Sequence, residues 1–468
     1  MKGGTSATIT CKTMVKADYY LMEGEDTMSR SRLSLLIALM VLVSLILTAC
    51  GGGTTTQPTG SGSTNQTTGS EKKRVTILGA FGGGEADAFE EVIKVFEAAN
   101  PDIDVVYTGV NDFDTQIVVR VQAGDPPDIA GFPQPGGAAR LAAEGNLVPL
   151  WPEIIAQIDK NYAPFWKELA TFGGTPYGVF HRVNAKGFIW YNKPAFEAAG
   201  YTVPKTWDEL KALTEKMKAN GHTPWCEGIE SGAATGWKGT DWIENIMLRT
   251  QTTAAYDRWI SGELPFSSPE VKRAFEILGE TWFTDGNVYG GRQSIVLTNF
   301  GDAATFLFTE PPNCWLHLQG SFVTNFFQDS VKADLDNKVG LFVMPPIDPN
   351  VTPALEVGGD VFVVLKGRDR PEVRKFLEFM ATGAAADPWI KLGGGVFPHK
   401  DQNLSLYPTA IERQVAEAIL AAQAARFDAS DAMPAAVNAA FWKGVTDWAS
   451  GNRDLDTVLA EIDAARNQ

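Results

Sequence analysis

The sequence predicts an α/β protein of two lobes. From Val75 to Ala130, apolar strand runs alternate with segments of helical spacing, the pattern of a parallel sheet covered by helices on both faces. From Cys50 onward lie 419 of the 468 residues, too many for one ordinary core and enough for two lobes of about 200 residues each. Further on, the uninterrupted apolar run Phe188-Ile189-Trp190-Tyr191 marks a strand leaving the first lobe.

The N-terminal stretch is of another kind. Arg30 and Arg32 precede an apolar run from Leu33 to Leu47, which Leu47-Thr48-Ala49-Cys50 closes. A basic end, a short apolar core and small residues before a cut make a secretory signal peptide, and the run is shorter than the roughly 20 residues of a membrane span. The closing tetrapeptide resembles a bacterial lipobox, whose cysteine is lipidated; an uncut anchor helix is the alternative. Residues 1–27 read as an over-extended start or non-native leader and 28–49 as the lipoprotein signal peptide. Acylated Cys50 then begins a flexible Gly/Thr/Ser/Gln tether over 50–71.

After the leader the chain has 35 basic and 52 acidic residues, which argues against nucleic acid or anionic lipid as a partner. Membrane contact is then expected through the lipid anchor only, on the outer face of the cell membrane. Cys226 and Cys314 would lie in an oxidising compartment where disulfides persist; we expect them to pair, two buried thiols being the alternative.

Taken in order, Val75–Ala80 is a strand running into Gly82-Gly83-Gly84. Ala86, Phe89, Val92, Ile93 and Phe96 then form one helix face, ended by Asn100-Pro101, before a second strand at Ile103–Tyr107. A helix over 114–122, the turn Gly124-Asp125-Pro126-Pro127 and a strand at 128–130 complete the unit. Thr206, with Glu209 three residues on, is a capping box for a helix to about Ala219. Val361–Leu365 reads as a buried strand followed by a helix over 371–380. The alanine-rich tail from Tyr407 reads as helices burying Val415, Ile419, Trp442, Val445 and Trp448. In such sheets ligands sit beyond the carboxyl ends of the strands, here Phe81–Glu85, Gly109–Asp114 and Phe132–Gly137.

The order of several phrases resembles the family 1 extracellular solute-binding proteins of bacterial ABC importers. They are Ala123-Gly124-Asp125-Pro126-Pro127-Asp128-Ile129, Leu141–Leu150, Trp190-Tyr191-Asn192-Lys193 and Pro204-Lys205-Thr206-Trp207. Phe132–Gly136, Gly236–Glu244 and Cys314–Phe322 look most like the α-glucoside-binding branch. The resemblance implies a periplasmic-binding-protein-like (type II) fold: two α/β lobes, a three-crossing hinge and an interlobe cleft. It implies lobes over 72–186 plus 345–395 and 187–344 plus 396–468, with return crossings near Val339–Met344 and Gly395–Pro398. It further implies a monomer that captures a sugar and hands it to permease subunits, with no catalysis and no cofactor. A non-sugar solute on the same fold, or a surface glycoside hydrolase, are the rival readings.

The residues agree with binding over catalysis. There is no HExxH, Walker A lysine, GxSxG elbow or complete GxGxxG. His181, His222, His317 and His399 are far apart in sequence, so no metal site is expected. Sugar binding needs flat aromatic faces for the C–H face of a pyranose, and carboxylates, amides and arginines for its hydroxyls. Trp237, Asp241 and Trp242 offer both, although Asp241 is equally an N-cap for a helix over 242–249 and Trp242 equally core. Gly83 permits close backbone approach. Glu85 is ligand or macrodipole partner, and Asp112 and Asp114 are ligands or turn caps. Gln134 stands between two prolines, and Asp360 directly before an apolar strand is the foremost carboxylate. Gln319, Phe322 and Arg182 are further candidates.

Overall fold

The computed structural model describes residues 72–110 and 112–466, so the leader, signal peptide, tether and Cys50 lie outside the described residues. Among the described residues no helix is long and apolar enough to cross a membrane. The chain begins with β1 (Lys73–Gly79), α1 (Gly83–Ala99), β2 (Ile103–Gly109), α2 (Phe113–Gln122) and β3 (Ile129–Phe132), the unit read from the sequence. It goes on through α3 (Pro135–Ala143), β4 (Leu147–Val148), β5 (Gly178–Ala185) and β6 (Phe188–Asn192). Next come α4 (Trp207–Ala219), α5 (Trp237–Thr250), α6 (Thr253–Ser261), β7 (His317–Gln319) and β8 (Val339–Val343). The last elements are β9 (Leu355–Leu365), α7 (Pro371–Met380), α8 (Ala410–Ala421), β10 (Ala425–Phe427), the single turn α9 (Ala429–Ala432) and α10 (Ala435–Ser450).

These strands build two main sheets. The larger has the order β10-β9-β3-β1-β2, with β4 and β5 also on β9; the smaller is β8-β6-β7. Strand β1 pairs in parallel with β2 and β3, whereas β9 runs antiparallel to β3 and β5. The whole of β9 is buried, which is why its run Val361–Leu365 reads as apolar throughout. Helix α1 buries Ala88, Phe89, Val92, Ile93 and Phe96, the one face its spacing defines. At the start of α4, Thr206 Oγ1 accepts the Glu209 N–H (3.2 Å), while the Glu209 carboxylate reaches one residue further, to the Lys205 N–H (2.7 Å).

The chain passes from the large sheet to the small one between β5 and β6, and returns between β8 and β9. The expectation of a last crossing near Gly395–Pro398 needs correction. Val396 still bridges Val183 of β5, and β10 lies parallel to β9 at Leu355↔Ala425 and Val357↔Phe427, so the final departure is at Asp428. A three-residue strand of Ala, Arg and Phe is too short to show any period, and it is held by its neighbour rather than by its own pattern.

Two buried features make predictions. Cys226 and Cys314 are joined, with Cα atoms 5.3 Å apart and a sequence separation of 88, and they tie the segment before α5 to the one before β7. Reduction should lower the melting temperature, the chain-entropy term for such a loop being about 4–5 kcal/mol; an unchanged melting curve would remove that role. His181 is fully buried among Phe89, Phe397 and His399, and neither ring nitrogen has a hydrogen-bond partner. Burial holds its pKa well below the usual histidine value, and that of His399 at about 4. A base depressed by folding binds its proton more readily in the unfolded chain, so its contribution erodes as pH falls below about 6.5, by about 1.4 kcal/mol per unit. His181→Leu should therefore gain on the wild type in melting temperature progressively below about pH 6.5; a constant offset across that range would contradict this.

Candidate functional site

Side chains of an extended strand alternate, so Arg182 and Asn184 of β5 and then Lys186 fall on one side, opposite His181 in the core. Along this row the structure assembles two groups. At its start, Arg182 Nη2 donates to Glu85 Oε1 (2.6 Å), and Nη1 lies 3.9 Å from Asp360 Oδ2. Glu85 is in the first turn of α1, whose N-cap Gly82 provides no side-chain bond, and nothing stands within 4 Å of where a Cβ would project from Gly82, Gly83 or Gly84. The first N–H groups of the helix therefore have room for a hydroxyl beside them. Asp360 enters just after Gly359, whose φ of +147° and close approach to Arg182 O exclude a Cβ. Burial pushes the Asp360 carboxyl up to about 7, with Arg182 pulling it down and Glu85 adding to the rise.

The second group is aromatic. Trp237 is half-buried, with Phe300 edge-on at 5.1 Å and Phe322 tilted at 5.9 Å between ring centroids. The Lys186 ammonium stands 5.4 Å from the indole centroid. Phe322 also borders a small hollow together with Asn184, Trp190, Thr324 and Gly394–Val396. Asn184 thus joins the polar end of the row to the aromatic end.

Several expectations are corrected here. Helix α5 begins at Trp237, not at Trp242, because Gly236 takes φ +113° against the Trp442 carbonyl and starts the helix a turn early. Asp241 is accordingly no N-cap: it is buried inside the helix, where Oδ1 accepts from Lys186 Nζ (2.8 Å). Trp242 belongs to the core, fully buried against Trp225 and Trp282. Gln319 is turned inward and 1 % exposed, its Oε1 taken by the Gly320 N–H and its backbone carbonyl by Trp190 Nε1.

Gln134 stands at the end of β3, where Nε2 donates to Asp431 Oδ1 (3.1 Å). Asp112 and Asp114 are exposed at the start of α2, and Asp112 makes no capping bond. Asp114 Oδ1 is 3.8 Å from where a Cβ on Gly137 would be, beside α3.

Lys186, Glu356, Asp428 and Asp431 complete the site and were not singled out from sequence. Lys186 Nζ donates to Asp241 and Asp428 and lies 3.8 Å from Glu356 Oε1. Asp241, Glu244, Glu356 and Asp428 have oxygen atoms close enough for a metal, but the lysine ammonium already bonds two of them. The legible signal was Arg182, Asn184 and Lys186 at two-residue spacing along β5 and just past its end.

The model of the family described as bacterial extracellular solute-binding protein matches residues 82–306. Over 428 residues the chain is 40% identical to the osmoprotective compounds-binding protein GgtB of Synechocystis sp., covering 90% of this chain and 97% of that one. It is 38% identical over 396 residues to the alpha-glucosides-binding periplasmic protein AglE of Rhizobium meliloti, covering 82% and 85%. Among solved structures, the bacterial solute receptor AcbH superimposes with a TM-score of 0.75 at 20% identity, over 85% of this chain and 99% of that one. RafE from Streptococcus pneumoniae does so at 0.69 and 18%, over 85% and 98%. The chain therefore belongs to the bacterial extracellular solute-binding proteins, a family of binding proteins and not of enzymes.

Proposed function

We propose that this protein captures a neutral sugar, an α-glucoside or short malto-type oligosaccharide, between its two halves and presents it to the permease of an ABC importer. The observation that carries the reading is that one row of side chains, Arg182 to Lys186, has Glu85 and Asp360 gathered at its first member and Trp237, flanked by Phe300 and Phe322, beside its last. An indole covers the C–H face of a pyranose while the charged group takes its hydroxyls. The likeness to AglE supports the α-glucoside. The likeness to GgtB supports a second reading, a small glucoside used as an osmoprotectant.

The charge balance favours a neutral ligand. Arg182 is bonded to Glu85 and close to Asp360, so a phosphate would meet two carboxylates around one guanidinium. Binding that prefers closed halves over open ones shifts the population toward closure, the form offered to the transporter. Acylation at Cys50 would keep the receptor at the outer face of the membrane.

A ligand bound by the native form alone raises its melting temperature, so a thermal-shift series with maltose, maltotriose, trehalose, sucrose and glycerol 3-phosphate tests the reading. Stabilisation by one or more of the sugars is expected, and a shift with the phosphate alone would overturn it. With the sugar so found, Trp237→Ala should weaken binding about tenfold, roughly 1–2 kcal/mol. Unchanged calorimetry would take the indole out of the site.

A further inference from the structure

Lys186 is 8 % exposed, and its ammonium meets the chain at every passage between the two sheets. It lies itself on the first passage, between β5 and β6. Its backbone N–H donates to the carbonyl of Glu356 (2.9 Å), where the second passage has just entered β9, and its ammonium is 3.8 Å from that residue's carboxylate. It donates to Asp428, the first residue of the third passage, and to Asp241 of α5 (2.8 Å). The same ammonium stands over Trp237, the opening residue of α5.

We propose that Lys186 is the positioning residue of the binding site: one ammonium gathers the three passages into a single ion cluster and thereby sets both the angle between the halves and the seat of Trp237. Only the Trp237 arm rests on the carbohydrate reading.

The surroundings leave no other side chain for the task. Helix α5 turns Asp241, Glu244, Arg249 and Lys238 toward the cluster, β9 contributes Glu356, the residues around α9 contribute Asp428 and Asp431, and α6 adds Tyr256. Lys238 is bonded to Glu227, and Arg249 to the Met344 carbonyl and to Asn245. Glu244 accepts the N–H groups of Ala429 (3.0 Å) and Ser430 (3.2 Å). Among the described residues, Lys186 is thus the only cation bonded to a carboxylate of this set. Burial raises the Asp241 carboxyl to about 7 and that of Asp431 to about 8, and it lifts Glu356 well above the usual range. Asp428 alone is held low: burial works against it, but Lys186 together with the hydrogen bonds from the Asp431 N–H and the Ser430 hydroxyl outweighs that.

Without the ammonium, Asp241, Glu356 and Asp428 would repel one another at the points where the halves join. Protons would then have to replace it. That gives the proposal a signature that a packing role lacks. Lys186→Met keeps an unbranched side chain of similar length, and the double variant Lys186→Met/Asp428→Asn removes one charge of each sign while keeping a side chain able to cap α9.

The test compares both variants with the wild type in the full chain, at about pH 8 and about pH 5.5, by melting temperature and by the radius of gyration in solution scattering. The single variant should melt lower and scatter as a larger particle than the wild type at the higher pH. Both differences should shrink at the lower pH, and shrink at the higher pH in the double variant. A deficit of equal size at both pH values and in the double variant, or no deficit at all, would overturn the proposal. If the single variant does not fold at the higher pH, recovery in the double variant decides in favour and failure of both decides against. Maltose and trehalose titrations, where the wild type binds them, should show the same pattern in affinity. A wild type that binds no sugar sinks the carbohydrate reading while scattering still judges Lys186.

Discussion

A buried ammonium cannot stand without partners, and neither can buried carboxylates. This mutual requirement at Lys186 is the constraint on which the rest of the structure depends. The alternation of β5 sends residue 186 to the same side as Arg182 and Asn184, where its ammonium meets Asp241, Glu356 and Asp428. Asp241, Glu356 and Asp428 come from a helix and two separate passages, and like charges would keep those segments apart. One lysine bonded to two of them and near the third turns three repelling segments into a joint. Asn245 adds a neutral clamp, donating both to Glu356 and to the Asp241 carbonyl.

Much of the fold was legible because it is written in local periods. The β1-α1-β2-α2-β3 unit follows from apolar spacing, and α4 from Thr206 and Glu209, since each rests on contacts within a few residues of sequence. The start of α5 was not legible. A glycine at a left-handed φ against the Trp442 carbonyl is a contact between positions 236 and 442, and no window of sequence contains both. The same holds for β10, whose place in the large sheet is fixed by β9.

The candidate site divides along the same line. Glu85 follows from its place in the first turn of α1. Asp360 was read as standing before the apolar run Val361–Leu365 but lies inside β9, which already begins at Leu355, and the structure brings both carboxylates to Arg182. Trp242 and Gln319 were ambiguous by nature. A tryptophan at helical spacing with Ile246 belongs to a core as readily as to a cleft, and only the surrounding Trp225 and Trp282 decide it. Lys186 went unread for the opposite reason. A lysine at a strand end looks like a solvated terminus until its carboxylates arrive from 55, 170 and 242 positions away.

The choice of ions at the joint and packed rings at the binding surface has a physical logic. Contact between packed atoms is lost within about an ångström, so cores hold their elements rigidly or not at all. Helix α5 is buried from Lys238 to Arg249, which makes Trp237 at its head a stiff platform. Coulomb attraction falls only as the inverse of distance and tolerates small changes of angle and separation. A joint made of one ammonium and several carboxylates can therefore yield by a fraction of an ångström at each contact without coming apart. Rigid halves carrying the recognition groups, linked by a charge cluster that gives way gradually, are what a receptor needs if it is to close on a solute and still let it go.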